Sequence, residues 1–129
     1  MPRALIHTML RILDEERSLA FYRALGFEET SRKRVGGDTA TVIFLALPGD
    51  GERLELTLND GRTEPYELGD AYGHIALSVD DMDAELAELA ERGITPEKPP
   101  YASRPGGSTI CFIRDPDGYR IELVEVRPG

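Results

Sequence analysis

Tyr72-Gly73-His74-Ile75-Ala76-Leu77-Ser78-Val79 alternates with period two, as a half-buried strand does. Ile75, Leu77 and Val79 make a face that needs a core. His74, Ala76 and Ser78 make the other, which sets one histidine among small side chains. The chain of 129 residues has one other histidine, His7, and it opens a similar run: His7-Thr8-Met9-Leu10-Arg11-Ile12.

The two histidines belong to an internal repeat. Shifted by 67 residues, His7 falls on His74, Leu10 on Leu77, Asp14 on Asp81, Leu19 on Leu86, Ala20 on Ala87 and Gly26 on Gly93. The matches continue without a gap: Ile43 on Ile110, Asp50-Gly51 on Asp117-Gly118, Arg53 on Arg120, and Glu55-Leu56 on Glu122-Leu123. Asp14 and Asp81 are helix N-cap residues by type and place. Gly26 and Gly93 sit where a left-handed residue would end each helix. The two Asp-Gly pairs signal hairpin turns.

Each module therefore reads as strand, helix, then strands. Module 1 (about 4–60) has a strand near 5–12 and a helix near 15–25, whose inward stripe is Leu19, Tyr22 and Leu25. Strands follow near 28–34, 39–47 and 53–58. Module 2 (about 72–127) has a strand near 73–79 and a helix near 82–92 with Met82, Leu86 and Leu89 inward. Its later strands lie near 108–114 and 119–126, and the Pro- and Gly-rich stretch 95–107 is loop with room for an irregular edge strand. The expectation is one α+β domain over 1–129, made of the two modules.

Composition excludes several classes of function. With 15 basic and 24 acidic residues the net charge is −9, which argues against nucleic acid or an anionic membrane as partner. The same charge repels anionic small molecules, so a site for one needs its own cations. No apolar run approaches the roughly 20 residues that span a bilayer. Met1-Pro2-Arg3-Ala4-Leu5 reads straight into a strand without a signal-peptide core. The single cysteine, Cys111, lies between Ile110 and Phe112 and reads as a buried structural thiol. A soluble cytoplasmic protein is expected.

Chemistry enters through the strands that end each module. Alternation puts Arg53, Glu55, Thr57 and Asn59 on one side, opposite Leu54, Leu56 and Leu58. It likewise separates Arg120, Glu122 and Val124 from Ile121 and Leu123. A carboxylate inside an apolar strand is costly unless it is paired or bound to a metal. Each module supplies one early histidine and one late glutamate, so the metal-ligand candidates are His7, Glu55, His74 and Glu122. Two imidazoles and two carboxylates suit an octahedral divalent ion such as Ni²⁺, Co²⁺, Zn²⁺ or Mn²⁺, with two positions left open.

These residues carry a resemblance that covers nearly the whole chain. His7-Thr8-Met9-Leu10-Arg11, Ser18-Leu19-Ala20-Phe21-Tyr22, Leu25-Gly26-Phe27, Leu54-Glu55-Leu56-Thr57, Tyr66-Glu67-Leu68-Gly69, Ala71-Tyr72-Gly73-His74-Ile75-Ala76-Leu77 and Asp115-Pro116-Asp117-Gly118-Tyr119 resemble bacterial glyoxalase I, the lactoylglutathione lyases of the vicinal oxygen chelate superfamily. The resemblance implies two tandem βαβββ modules, with mixed β-sheet flanked by helices. It implies a homodimer with metal sites at the subunit interface, where His7 and Glu55 of one chain meet His74 and Glu122 of the other. The implied reaction converts the hemithioacetal of methylglyoxal and glutathione to S-lactoylglutathione, by proton transfer through a metal-bound enediolate. Ni²⁺ or Co²⁺ is the implied metal, Zn²⁺ the alternative, and glutathione the co-substrate.

Glu122 is the implied catalytic base, although the residues themselves do not distinguish it from Glu55. Arg11 and Asn59 break the repeat (their twins are Ser78 and Val126) and match the family's glutathione-holding positions. Arg104, before Pro105-Gly106-Gly107, is a weaker substrate-binding candidate. Asp60 departs from the tryptophan that close relatives usually carry, and the region 32–53 matches poorly. Competing readings are an epimerase, an extradiol dioxygenase, a lyase on another thiol, a non-catalytic sequestering protein, or a metal-stabilised dimer without chemistry.

Overall fold

The computed structural model describes residues 2–126, and the outermost ends of the expected domain lie outside them. The chain divides between Tyr66 and Glu67 into two compact units, and each is a βαβββ module.

The first unit runs β1 (Thr8–Ile12), α1 (Glu15–Ala24), β2 (Glu28–Val35), β3 (Ala40–Ala46) and β4 (Leu54–Asn59). Its sheet has the order β1-β4-β3-β2, with β1 parallel to β4 and the remaining pairs antiparallel. The second unit runs β5 (Ile75–Val79), α2 (Met82–Glu91), β6 (Tyr101–Ala102), β7 (Thr109–Arg114) and β8 (Arg120–Glu125). Its order is β5-β8-β7-β6, again with one parallel pair, β5 and β8. The mixed sheet is thus two four-stranded sheets, one per unit, and β6 is the short edge strand expected in 95–107.

The local signals act as their chemistry requires. The Oδ1 atoms of Asp14 and Asp81 accept from the backbone N–H of Arg17 and Ala84, at 3.0 and 3.1 Å. Gly26 and Gly93 end the helices at φ of +99° and +78°, a region glycine enters without Cβ strain. Asp81→Ala should therefore lower stability by about 1 kcal/mol, with Asp81→Ser largely restoring it, as read from urea unfolding midpoints.

One face of each sheet builds the core. In the first unit Leu10, Ile12, Ile43, Leu45, Leu54 and Leu56 are buried, together with Leu19, Phe21 and Tyr22 of α1. Phe21, Tyr22 and Phe27 stack edge to face, and Leu25 is only half-buried. In the second unit Cys111, Ile113, Ile121 and Leu123 are buried, as are Met82 and Leu89 of α2, while Leu86 is half-buried. Cys111 is the structural thiol expected. Its Sγ donates to the Lys98 carbonyl at 3.5 Å, and burial pushes the thiol pKa up.

Two details of the sequence reading are corrected. Neither histidine lies in a strand. The Thr8 N–H donates to the Arg53 carbonyl at 2.9 Å, and the parallel pairing starts at Thr8 opposite Leu54, leaving His7 just before it. The equivalent pairing starts at Ile75 opposite Ile121, leaving His74 just before that. The repeat is also not free of gaps. Ile43 pairs with Leu56 and Cys111 pairs with Leu123, so the twin of Ile43 is Cys111, 68 rather than 67 residues on.

Candidate metal centre

The sheet face opposite the core carries the polar residues. In the first unit Met9 pairs with Glu55, Arg11 with Thr57, and Phe44 with Glu55, so these side chains share that face. His7 Nε2 stands 3.2 Å from Glu55 Oε1. The second unit repeats the arrangement, with His74 Nε2 3.2 Å from Glu122 Oε1. The glutamate side chains are 15% and 17% exposed and the imidazoles 34% and 40%, so each pair is shielded from one side and reachable from the other.

A phenylalanine from the third strand of each module braces each histidine. The Phe44 ring lies 5.5 Å from the His7 ring at 76°, and the Phe112 ring 5.2 Å from that of His74 at 73°. Both are edge-to-face contacts, the arrangement that ring quadrupoles favour. Sequence reading missed this pair because the gapless repeat set Phe44 against Cys111. The signal was an aromatic one residue out of step.

The donor set fits a shared metal ion. With metal–N and metal–O bonds of about 2.1 Å, two ligands of one ion lie roughly 3.0 Å apart at an octahedral right angle and roughly 3.4 Å apart at a tetrahedral one. The 3.2 Å separation in both pairs falls between these values. Among the described residues no group of three or more His, Cys, Asp or Glu side chains is placed to hold an ion, and each pair offers two donors.

The two pairs differ in what surrounds the carboxylate. Thr57 Oγ1 donates to Glu55 Oε2 at 3.0 Å. The residue at the corresponding place beyond Glu122 is Val124, which has no hydroxyl. Beside the second pair, the Arg120 guanidinium lies 3.9 Å over the Phe112 ring. Arg120 is held by two bonds of 2.9 Å to the Glu97 carboxylate, and this pairing keeps Glu97 below its ordinary pKa. The sequence twin, Arg53, does something else. It bonds Asp50 at 2.6 Å and the Leu5 carbonyl at 3.0 Å, which anchors the chain just ahead of His7.

The predicted substrate residues are placed as follows. Arg11 is exposed on the Glu55 face, as expected. Asn59 ends β4, and its Nδ2 donates to the Tyr66 hydroxyl at 3.0 Å. Asp60 is drawn away by Arg34, at 2.5 and 2.9 Å. Arg104 is exposed on the turn between β6 and β7. Its carbonyl accepts from the Gly107 N–H at 2.8 Å.

Known proteins share this architecture and sequence. The chain is 41% identical over 129 aligned positions to the lactoylglutathione lyase of Salmonella typhimurium, covering 95% of this chain and 93% of that protein. It superposes on the trypanothione-dependent glyoxalase I of Leishmania major with a TM-score of 0.77 at 35% identity, covering 96% of this chain and 87% of that one. It superposes on glyoxalase I from Zea mays with a TM-score of 0.85 at 27% identity, covering 96% of this chain but only 45% of the maize chain, so it spans about half that protein's length. Residues 4–123 match the Glyoxalase/Bleomycin resistance protein/Dioxygenase superfamily, and with these relatives the chain belongs to that family.

Proposed function

We propose that this chain is a metal-dependent glyoxalase I, isomerising the hemithioacetal of methylglyoxal and glutathione to S-lactoylglutathione. The observation that carries the reading is the matched pair of half-sites, each a histidine and a glutamate 3.2 Å apart, one in each repeat. Relatives that are 41% identical over nearly the full chain are lactoylglutathione lyases. We further propose that the two modules form one domain, and that a second copy of the chain completes each site: His7 and Glu55 of one chain act with His74 and Glu122 of the other. The cytoplasm, which keeps thiols reduced, is the fitting location for an enzyme using glutathione.

In this reading His7, Glu55, His74 and Glu122 hold one divalent ion, Ni²⁺ or Co²⁺ in preference to Zn²⁺. When bound, the ion acts as a Lewis acid for negative charge developing on the substrate oxygens. The chain's own residues do the rest. The hydroxyl-bearing substrate carbon between sulfur and carbonyl loses its proton to Glu122, and its electron pair shifts toward the carbonyl oxygen. Glu122 returns that proton to the former carbonyl carbon, while the hydroxyl proton passes to the former carbonyl oxygen, which leaves a thioester carbonyl beside a new hydroxyl. No atom is gained or lost overall. Glu122 suits the base role because Val124, at the place of Thr57, offers it no hydroxyl, whereas the Thr57 hydroxyl tethers Glu55 in place. Arg11 and Asn59 hold the tail of the thiol, and an arginine fork suits a carboxylate there.

The direct test is reconstitution. Apoprotein supplied with Ni²⁺, Co²⁺ or Zn²⁺, then with methylglyoxal and glutathione, should develop thioester absorbance, with Ni²⁺ or Co²⁺ the most effective. Silence with every metal would defeat the reading. The trypanothione-dependent relative supports a second reading, the same isomerisation on another thiol, and running both thiols side by side separates the two.

A further inference from the structure

Strand β2 carries three consecutive cations, Arg32, Lys33 and Arg34. Alternation sends the outer two to one face of the sheet and the middle one to the other. The outer two are neutralised locally. Arg32 pairs with Glu15 at 2.5 Å and Glu29 at 2.6 Å, and Arg34 pairs with Asp38 at 2.7 Å and Asp60 at 2.5 Å.

Lys33 is treated differently. It pairs across the sheet with Val42, which puts it on the face shared by Phe44 and Glu55. Its Nζ stands 5.7 Å from the centroid of the Phe44 ring, the ring that also braces His7. Among the described residues no carboxylate pairs with it. Lysines on edge strands commonly point into solvent and discourage unwanted strand pairing. Lys33 is exposed too, but its ammonium lies over an aromatic ring on the sheet face. In a chain with 24 acidic and 15 basic residues, a cation left without a counter-charge beside the candidate site stands apart from its paired neighbours.

We propose that Lys33 receives a carboxylate on the tail of the thiol substrate, and so selects thiols with anionic tails over thiols whose carboxylates are masked. The proposal rests on the glyoxalase reading. It also answers the charge problem: a net charge of −9 repels an anion at long range, so capture needs a local cation within a Debye length, about 8–10 Å. An ammonium on a flexible four-carbon stem supplies a point charge with reach and without the fixed fork of an arginine.

The test compares wild type, Lys33→Met, Lys33→Glu and Lys33→Arg, all metal-loaded. The substrates are the hemithioacetals of methylglyoxal with glutathione and with glutathione diethyl ester, in which both carboxylates are masked. With glutathione, Lys33→Met should raise KM about tenfold and leave kcat within about twofold. Lys33→Glu should raise KM further, and Lys33→Arg should recover most of the loss. With the diester, wild type should already show the raised KM and Lys33→Met should add nothing. An unchanged KM in Lys33→Met, or an equal loss on both substrates, overturns the proposal. A wild type that turns over neither substrate with any metal defeats the lyase reading. The role of Lys33 is then judged by calorimetric binding of S-methylglutathione, where no binding by wild type, or equal affinity in Lys33→Met, overturns it.

Discussion

Turnover of Glu122→Gln is expected to fall by roughly a thousandfold, within the range a positioned general base supplies. The amide keeps an oxygen donor but cannot take a proton. Co²⁺ should therefore still bind, with affinity lowered by about tenfold or less, and the visible absorption of the Co²⁺ form should persist. Glu55→Gln should do the reverse, costing more in metal affinity and less in turnover of the loaded protein. The asymmetry follows from one hydrogen bond. Thr57 Oγ1 holds Glu55 Oε2 at 3.0 Å, and Val124 offers nothing comparable to Glu122. A carboxylate already tethered by a hydroxyl is less free to swing toward a substrate carbon. Near-normal turnover in Glu122→Gln with full metal occupancy would remove Glu122 from the base role, and a dead Glu55→Gln beside it would move the role to Glu55.

The second large effect is on stability. Asp115→Ala should lower the unfolding free energy by about 2–4 kcal/mol, because it strips the acceptor from two backbone donors at a covered turn. Asp115 is 4% exposed, and its Oδ1 accepts from the N–H groups of Asp117 and Tyr119, both at 2.9 Å. Gly118, at φ +95°, closes the turn with an N–H to the Asp115 carbonyl. The turn feeds straight into β8, which carries Arg120 and Glu122. Asp115→Asn keeps an acceptor oxygen and should cost only about 1 kcal/mol. Urea unfolding of the two metal-free variants at one protein concentration gives the comparison. Equal losses would mean that the charge, and not the acceptor geometry, holds the turn.

The parts of this fold legible in the sequence are those where one residue type has one physical use. Asp14 and Asp81 could be read as caps because a short acceptor before an apolar stripe satisfies helix N–H groups. Gly26 and Gly93 could be read as stops because few other residues adopt their φ at low cost. The His–Glu pairs were legible because a glutamate inside an apolar strand demands a partner. What alternation could not show is where a strand begins. The histidine faces were right, yet both rings sit one residue ahead of their strands, because the parallel pairing starts at Thr8 and Ile75. Nor could it show where a long cation turns. Arg53 and Arg120 are twins in sequence, but one reaches back to Leu5 and the other lies on Phe112, choices made by whether Asp50 or Glu97 is within reach.

The third strands of the modules are out of step by one residue, while the glutamate-bearing strands β4 and β8 coincide. From Gly26 to Ile43 is 17 positions, and from Gly93 to Cys111 is 18. The hairpin that follows returns the residue, with nine positions from Leu45 to Leu54 and eight from Ile113 to Ile121. The two offsets cancel, so β4 and β8 keep their place in the repeat although the strands before them do not. A one-residue slip in the pairing of β4 or β8 would turn its glutamate to the helix side and its leucines to the opposite face. The parallel strand pairs are thus the part that the two modules hold in common register. The segments on either side of the third strand absorb the difference in length, so the spacing of the two glutamates from their histidines is the same in both modules.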